Sequence, residues 1–177
     1  RSAAEVDRTL QTSLKKIVIS PWLQQLVKDK SGQFSELIMN GIDFTVFNNH
    51  EVKQYSDKIN VLLMYHYLPK KAFSNGLAAF KLAKLKNPNL TLTVFGADRT
   101  TNCPLPEGVK YYYQPKQSVL VKLYCAADIF LWPSLIEGFG LLPMEAMACR
   151  CAVISTDTGA IRELSDNGRT AIIVPPN

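Results

Sequence analysis

The chain is poor in the residues that usually announce a metal or a bound cofactor. It has only 2 histidines and 4 cysteines in 177 residues. Cys103, Cys125, Cys149 and Cys151 show no Cys-x-x-Cys spacing and have too few histidine partners for a zinc site. No acidic cluster resembles one that bridges magnesium to a diphosphate, so neither a metal nor a resident cofactor is expected. No Gly-x-Gly-x-x-Gly follows the first strand of the parallel-sheet region, which leaves a dinucleotide-binding dehydrogenase poorly supported. No stretch is long and apolar enough to span a bilayer, and the first residues do not read as a signal peptide. Lys15, Lys16, Lys28, Lys30, Lys81, Lys84 and Lys86 are scattered, without an aromatic-interleaved basic stripe. The net charge of +5 therefore suggests an anionic partner but not a nucleic acid. Internal repeats and low-complexity runs are also missing.

What is present is ordinary for a folded domain: 47% hydrophobic and 20% charged residues, enough to bury one substantial core. The chain starts at Arg1 rather than Met and stops at Pro175-Pro-Asn177 directly after an apolar run. Both ends are expected to be cuts through a longer protein. Cys125, Cys149 and Cys151 lie in apolar runs and read as reduced core thiols of a cytosolic protein.

Residues 1–13 are too polar for more than a helix tail. A strand is predicted over Leu14–Ser20, a short helix from Pro21 through Val27, and a short strand over Glu36–Met39, with a turn at Asn40-Gly41-Ile42-Asp43. A polar linker is predicted over 44–58. From Ile59 strands and helices alternate, the pattern of a parallel, doubly wound α/β sheet. Strands are predicted at Ile59–Tyr65, Leu90–Phe95, Val109–Tyr113, Asp128–Trp132, Cys151–Ser155 and Ala171–Val174. Helices are predicted at Ser74–Lys86, with Leu77, Phe80, Leu82 and Leu85 inward, at Gln117–Ala127, with Val119, Leu120, Leu123 and Tyr124 inward, and at Ala160–Leu164.

The organising stretch is Ser134-Leu-Ile-Glu137-Gly-Phe-Gly-Leu-Leu-Pro-Met-Glu145-Ala-Met-Ala-Cys149. It follows a buried strand and leads into a helix with Pro143 and Glu145 expected in its first turn, where proline is tolerated and an acid suits the dipole. Gly138-Phe139-Gly140 forms a turn that lets a ligand approach the backbone, and Glu137 sits at a strand's carboxyl end. In a right-handed βαβ sheet all such ends open on one edge. That edge gathers His66 with Lys70-Lys71, then Gly96-Ala97-Asp98-Arg99, Glu137–Gly140 and Thr156-Asp157-Thr158-Gly159. Cations, glycine turns and carboxylates on one rim suit a ligand with a diphosphate and sugar hydroxyls.

The run Glu137-Gly-Phe-Gly-Leu-Leu-Pro-Met-Glu145 resembles the Glu-x7-Glu signature of retaining, group 1 (family 4) glycosyltransferases. The resemblance implies the Rossmann-like, nucleotide-sugar-binding half of a GT-B fold. Residues 1–43 would be the tail of the N-terminal domain and its crossover, and 59–177 the C-terminal donor-binding domain, truncated at its C-terminus. Tyr65-His66-Tyr-Leu-Pro-Lys-Lys71 falls where the family has Gly-Arg-x4-Lys, whose Arg and Lys hold the donor diphosphate. Lys71 matches; His66 stands for the Arg as a conditional cation or neutral N–H donor, and Ala72 for the Gly that usually follows. Glu137 would contact donor-sugar hydroxyls and Glu145 the ribose, as the catalytic pair. Gly138 and Phe139 share the turn, and the amides of Gly140, Leu141 and Leu142 would face phosphate. Tyr111, Tyr112, Tyr113 and Pro115 are candidates for a base pocket, with at least one tyrosine expected in the core.

The implied activity is retaining transfer from a nucleoside-diphosphate sugar to an acceptor hydroxyl, in bacterial polysaccharide or glycoconjugate synthesis. The acceptor, a carbohydrate or lipid-linked molecule, would meet the missing N-terminal domain, and the full-length protein would be cytoplasmic, compatible with peripheral association at the inner membrane face. The fragment alone is expected to bind donor weakly without turnover. The alternatives are a GT-B sugar phosphorylase or nucleotide-sugar epimerase, and a non-catalytic nucleotide- or glycan-binding module.

Overall fold

At the N-terminus, the Ser2 hydroxyl accepts from the Glu5 amide (3.3 Å) and the Glu5 carboxylate accepts from the Ser2 amide (2.8 Å). This reciprocal capping box starts a helix, α1 (Ala3–Gln11), where the sequence supported no more than a helix tail. The helix buries none of its residues, which is why no apolar stripe betrayed it. Strand β1 (Lys16–Val18) is shorter than expected. Helix α2 (Pro21–Ser31) runs past Val27 because its polar last turn is stopped only by Gly32, at φ 66°. Strand β2 (Ser35–Leu37) pairs parallel with β1. The structure is a computed structural model and describes residues 2–48, 56–99, 103–166 and 168–176. Residues 49–55 of the expected linker lie outside the described residues. On its near side Phe47 is buried, edge-on to Tyr124 at 6.4 Å, so this part of the segment is docked on the domain.

The second layer is built on β3 (Ile59–Tyr65), whose side chains alternate between two cores. Val61, Leu63 and Tyr65 face one cluster, while Leu62 and Met64 face the other. Helix α3 (Phe73–Lys86) covers the first face. Its Leu77 and Phe80 are buried, but Leu82 and Leu85 are 65% and 81% exposed, contrary to expectation. A period of 3.6 from Leu77 and Phe80 continues through Lys84, not Leu82 or Leu85. Lys84 reaches across the helix end to donate to the carbonyls of Pro88 (2.6 Å) and Leu90 (2.5 Å).

Strands β4 (Leu90–Gly96), β5 (Lys110–Tyr113), β6 (Ile129–Trp132), β7 (Ala152–Thr156) and β8 (Ala171–Val174) complete a parallel sheet of order β5-β4-β3-β6-β7-β8. Helices α4 (Gln117–Ala126) and α5 (Leu141–Ala148) cover the second face, and α6 (Ile161–Leu164) follows β7. Tyr124 of α4 is fully buried, edge-on to Phe130 at 5.5 Å. Leu120 and Leu123 pack beside it as expected, joined by Val121. The order of the sheet is that of a doubly wound, Rossmann-like α/β fold, as the alternating pattern predicted.

Candidate functional site

After β3 the chain turns to β4 and β5 on one flank, then returns to place β6 on the other. The carboxyl ends of β3 and β6 therefore border the crevice where connections diverge, the usual ligand position in open parallel sheets. The segment after β3 supplies His66 and a single 3₁₀ turn, Pro69–Lys71. The segment after β6 supplies Ser134, Glu137 and the glycine turn.

The β3 segment ends on Ala72, at φ 47°. That left-handed conformation is one a glycine would occupy without strain. The β6 segment ends on Gly140, at φ 95°, from which α5 starts. Pro143 is at the third helical position, still among the N–H groups without an intrahelical acceptor. Glu145 is at the fifth, beyond the first turn where it was expected. The Phe139 side chain is buried with Met144, Ala160 and Ile161, anchoring the glycine turn.

The two segments are tied to each other and to the loop after β7. The Leu135 amide (2.7 Å) and the buried Ser134 hydroxyl (3.2 Å) both donate to the Lys70 carbonyl. The Thr156 hydroxyl donates to the Ser134 carbonyl, and the Ala160 amide to the Phe139 carbonyl at 2.8 Å. Gly159, at φ 66°, lies so close to the Phe139 carbonyl that a Cβ there would collide with it. Ser134 and Thr156 as positioning residues escape sequence reading, because hydroxyl-to-carbonyl bonds leave no periodic signal.

Lys71 and Glu137 meet directly. The ammonium donates to both carboxylate oxygens, at 2.6 and 2.9 Å, with the side chains only 18% and 10% exposed. Lys71 Nζ also stands 5.3 Å from the centre of the Trp132 ring. His66 stacks on Tyr67 at 4.9 Å, and its Nδ1 accepts from the Leu68 amide at 3.1 Å. With Nδ1 accepting, Nε2 is the ring nitrogen left to donate. Glu145 is half-buried and accepts from the Tyr124 hydroxyl at 3.0 Å. Burial pushes its carboxyl above the ordinary range, and the Tyr124 bond opposes that rise. Burial first, then the Glu145 charge, pushes the Tyr124 phenol well up, so it stays a donor. Gly140, Leu141 and Leu142 stand at the N-terminus of α5, where the first amides lack intrahelical acceptors.

The other rim residues are distributed differently. Tyr111 and Tyr112 pack on opposite core clusters, and Tyr113 is 43% exposed with Arg99 stacked 6.0 Å from its ring. Asp157 is held by Arg162 (Nε to Oδ1, 3.0 Å), which depresses its carboxyl. Trp22 of α2, unremarked in the sequence as a site residue, donates its indole N–H to the Gly138 carbonyl at 3.2 Å. With Glu137, Asp157 and Arg162 it lines a cavity of about 380 Å³. A larger cavity of about 660 Å³ is lined by Ile42, Phe139, Met147 and Arg150 among others, and neither Lys71 nor Glu137 lines it. Among the described residues no group of three or more metal-binding side chains is clustered. No helix among them is long and apolar enough to cross a membrane.

A Rossmann-ordered sheet with a lysine, a glycine turn and an acid at its switch point has the form of one Rossmann-like half of a GT-B fold. Residues 45–177 match the family described as Glycosyl transferases group 1, and the chain belongs to it. It is 31% identical over 150 residues to the capsular polysaccharide biosynthesis glycosyltransferase CapM of Staphylococcus aureus, covering 76% of this chain and 39% of that protein. It is 47% identical over 51 residues to the lipopolysaccharide core biosynthesis mannosyltransferase LpcC of Rhizobium leguminosarum bv. viciae, covering 29% and 14% respectively. Among solved structures, sucrose-phosphate synthase from Thermosynechococcus elongatus aligns with TM-score 0.78 at 23% identity, over 97% of this chain and 48% of that one. Anabaena HepE in complex with UDP-glucose aligns with TM-score 0.77 at 18% identity, over 99% and 55%. The chain thus spans well under two thirds of the length of these relatives.

Proposed function

We propose that this chain is the donor-binding part of a glycosyltransferase that moves a sugar from a nucleoside diphosphate to an acceptor hydroxyl with retention at the anomeric carbon. The observation that carries this reading is the Lys71–Glu137 pair at the switch point, a cation for diphosphate beside an acid for sugar hydroxyls. In this reading Lys71 and the first amides of α5 hold the diphosphate, His66 adds its Nε2–H, and Glu145 takes the ribose hydroxyls. Gly138 and Phe139 contribute backbone on the turn. Catalysis comes from orientation and from stabilising charge on the departing diphosphate.

The relatives named for capsular polysaccharide and lipopolysaccharide core synthesis support a role in bacterial surface glycan assembly. The complex of HepE with UDP-glucose supports a sugar nucleotide as the ligand. The acceptor, carbohydrate or lipid-linked, would be held mainly by chain that these residues do not include, so this segment binds donor without turnover by itself. Calorimetric titration with UDP, GDP and ADP and their hexose conjugates tests the proposal. At least one conjugate should bind saturably, with affinity reduced about tenfold or more in Glu145→Ala, from the loss of one or two charge-assisted hydrogen bonds. Binding to none of them would refute it.

A further inference from the structure

The Lys71–Glu137 pair poses a physical problem for the ligand just assigned. Its two members are each other's partner, mostly shielded from water, and bonded through both carboxylate oxygens. Two of the three ammonium N–H donors are held by Glu137, so an entering diphosphate that takes more than the third draws Lys71 away from Glu137. The carboxylate would then stand at the crevice without its cation, close to the incoming phosphates, which are of like charge. Leaving a shielded carboxylate unpartnered is costly.

A sugar attached to the diphosphate changes this balance, because its hydroxyls donate to the carboxylate that Lys71 has left. We propose that the pair makes Glu137 a specificity-determining residue that discriminates against the bare nucleoside diphosphate in favour of the sugar-bearing one. The inference rests on the reading of the site as a sugar-nucleotide site. Glu137 is an internal competitor for the phosphate's cation, and only a ligand with hydroxyls to offer compensates it. The same exchange favours product release: once the sugar has been transferred, Glu137 recaptures Lys71 and the nucleoside diphosphate loses its anchor. The surroundings fit such a swap. Trp132 offers Lys71 a second favourable contact, 5.3 Å from its ring centre. The backbone of both segments is meanwhile fixed through the Lys70 carbonyl, so only side chains need move.

The test compares wild type with Glu137→Gln, which keeps the shape and the sugar-binding oxygen but releases Lys71. UDP, GDP and ADP, each alone and as its hexose conjugate, are titrated calorimetrically into both chains. The expected result is tighter binding of the bare diphosphate by the variant and weaker binding of the conjugate, so that the ratio of the two affinities moves by about tenfold or more. If wild type binds both but the variant binds the bare diphosphate no more tightly, the exchange is wrong while the site assignment stands. If wild type binds none of the probes, the site assignment falls and the exchange with it. Should the variant fail to fold, the wild-type chain still decides. The Glu137 carboxyl ¹³C resonance moves when a bare diphosphate displaces it from Lys71, and stays in place if the pair survives binding, which overturns the proposal.

Discussion

Glu145 is a carboxylate kept where folding alone would not keep it. Burial raises its folded-state pKa, so the folded chain holds the proton more tightly than the unfolded one. The sign follows from linkage: stability present below the unfolded pKa is lost as pH rises through the higher folded value. Glu145→Gln retains an acceptor for Tyr124 without the charge. The variant should therefore melt higher than wild type at neutral pH, with the difference shrinking towards about pH 4, near the ordinary carboxyl range. Asp157 has the opposite sign, since Arg162 depresses it and its contribution is lost as pH falls through its folded pKa. Comparing the two chains at each pH removes that shared effect. A second single-residue expectation concerns Ala72. Its left-handed backbone costs about 1–2 kcal/mol, against about 0.8 kcal/mol for burying its methyl group. Ala72→Gly should thus leave stability unchanged or slightly raised in urea titration. Ala79→Gly, in the interior of α3, should lower it by about 1 kcal/mol.

Among the elements, the loops after β3, β6 and β7 act as one construction. Gly159 holds the third loop against the turn of the second, where a side chain would meet the Phe139 carbonyl. Gly159→Ala should lower stability by about 1–3 kcal/mol, from strain at a left-handed φ and displacement of the turn. Its thermal unfolding should be compared with that of Gly168→Ala, where a Cβ would meet nothing within 4 Å and only the backbone strain applies. Legibility from sequence divides along the same line. The strands of the sheet are readable, and so is the placement of Lys71 and the Glu137–Glu145 stretch at strand ends, because buried strands, glycine turns and charges there leave local signals. Leu82 and Leu85 are exposed against expectation because four large apolar positions on one helix do not state which face the sheet takes. The bonds of Ser134, Thr156 and Trp22 join residues far apart in sequence and have no local pattern to betray them.

For the whole molecule, the joint between the N-terminal α/β piece and the large sheet lies at the site. Trp22 reaches from α2 to the Gly138 carbonyl, and Ile19 comes within 3.7 Å of where a Gly138 Cβ would stand. Trp22→Phe keeps an aromatic body and removes the N–H. Loss of that bond should lower stability by about 0.5–1.5 kcal/mol by chemical denaturation. The central claim is one of location: the sugar nucleotide occupies the switch point between β3 and β6, and not the larger cavity bordered by Arg150 and Arg169. Amide chemical-shift mapping on the isotope-labelled chain, titrated with UDP-glucose and the GDP and ADP hexoses, tests this most directly. The predicted result is a saturable set of shifts centred on Lys71, Gly140, Leu141 and Glu145. Shifts confined to Arg150, Leu164 and Arg169, with the β3 and β6 ends unmoved, would contradict it.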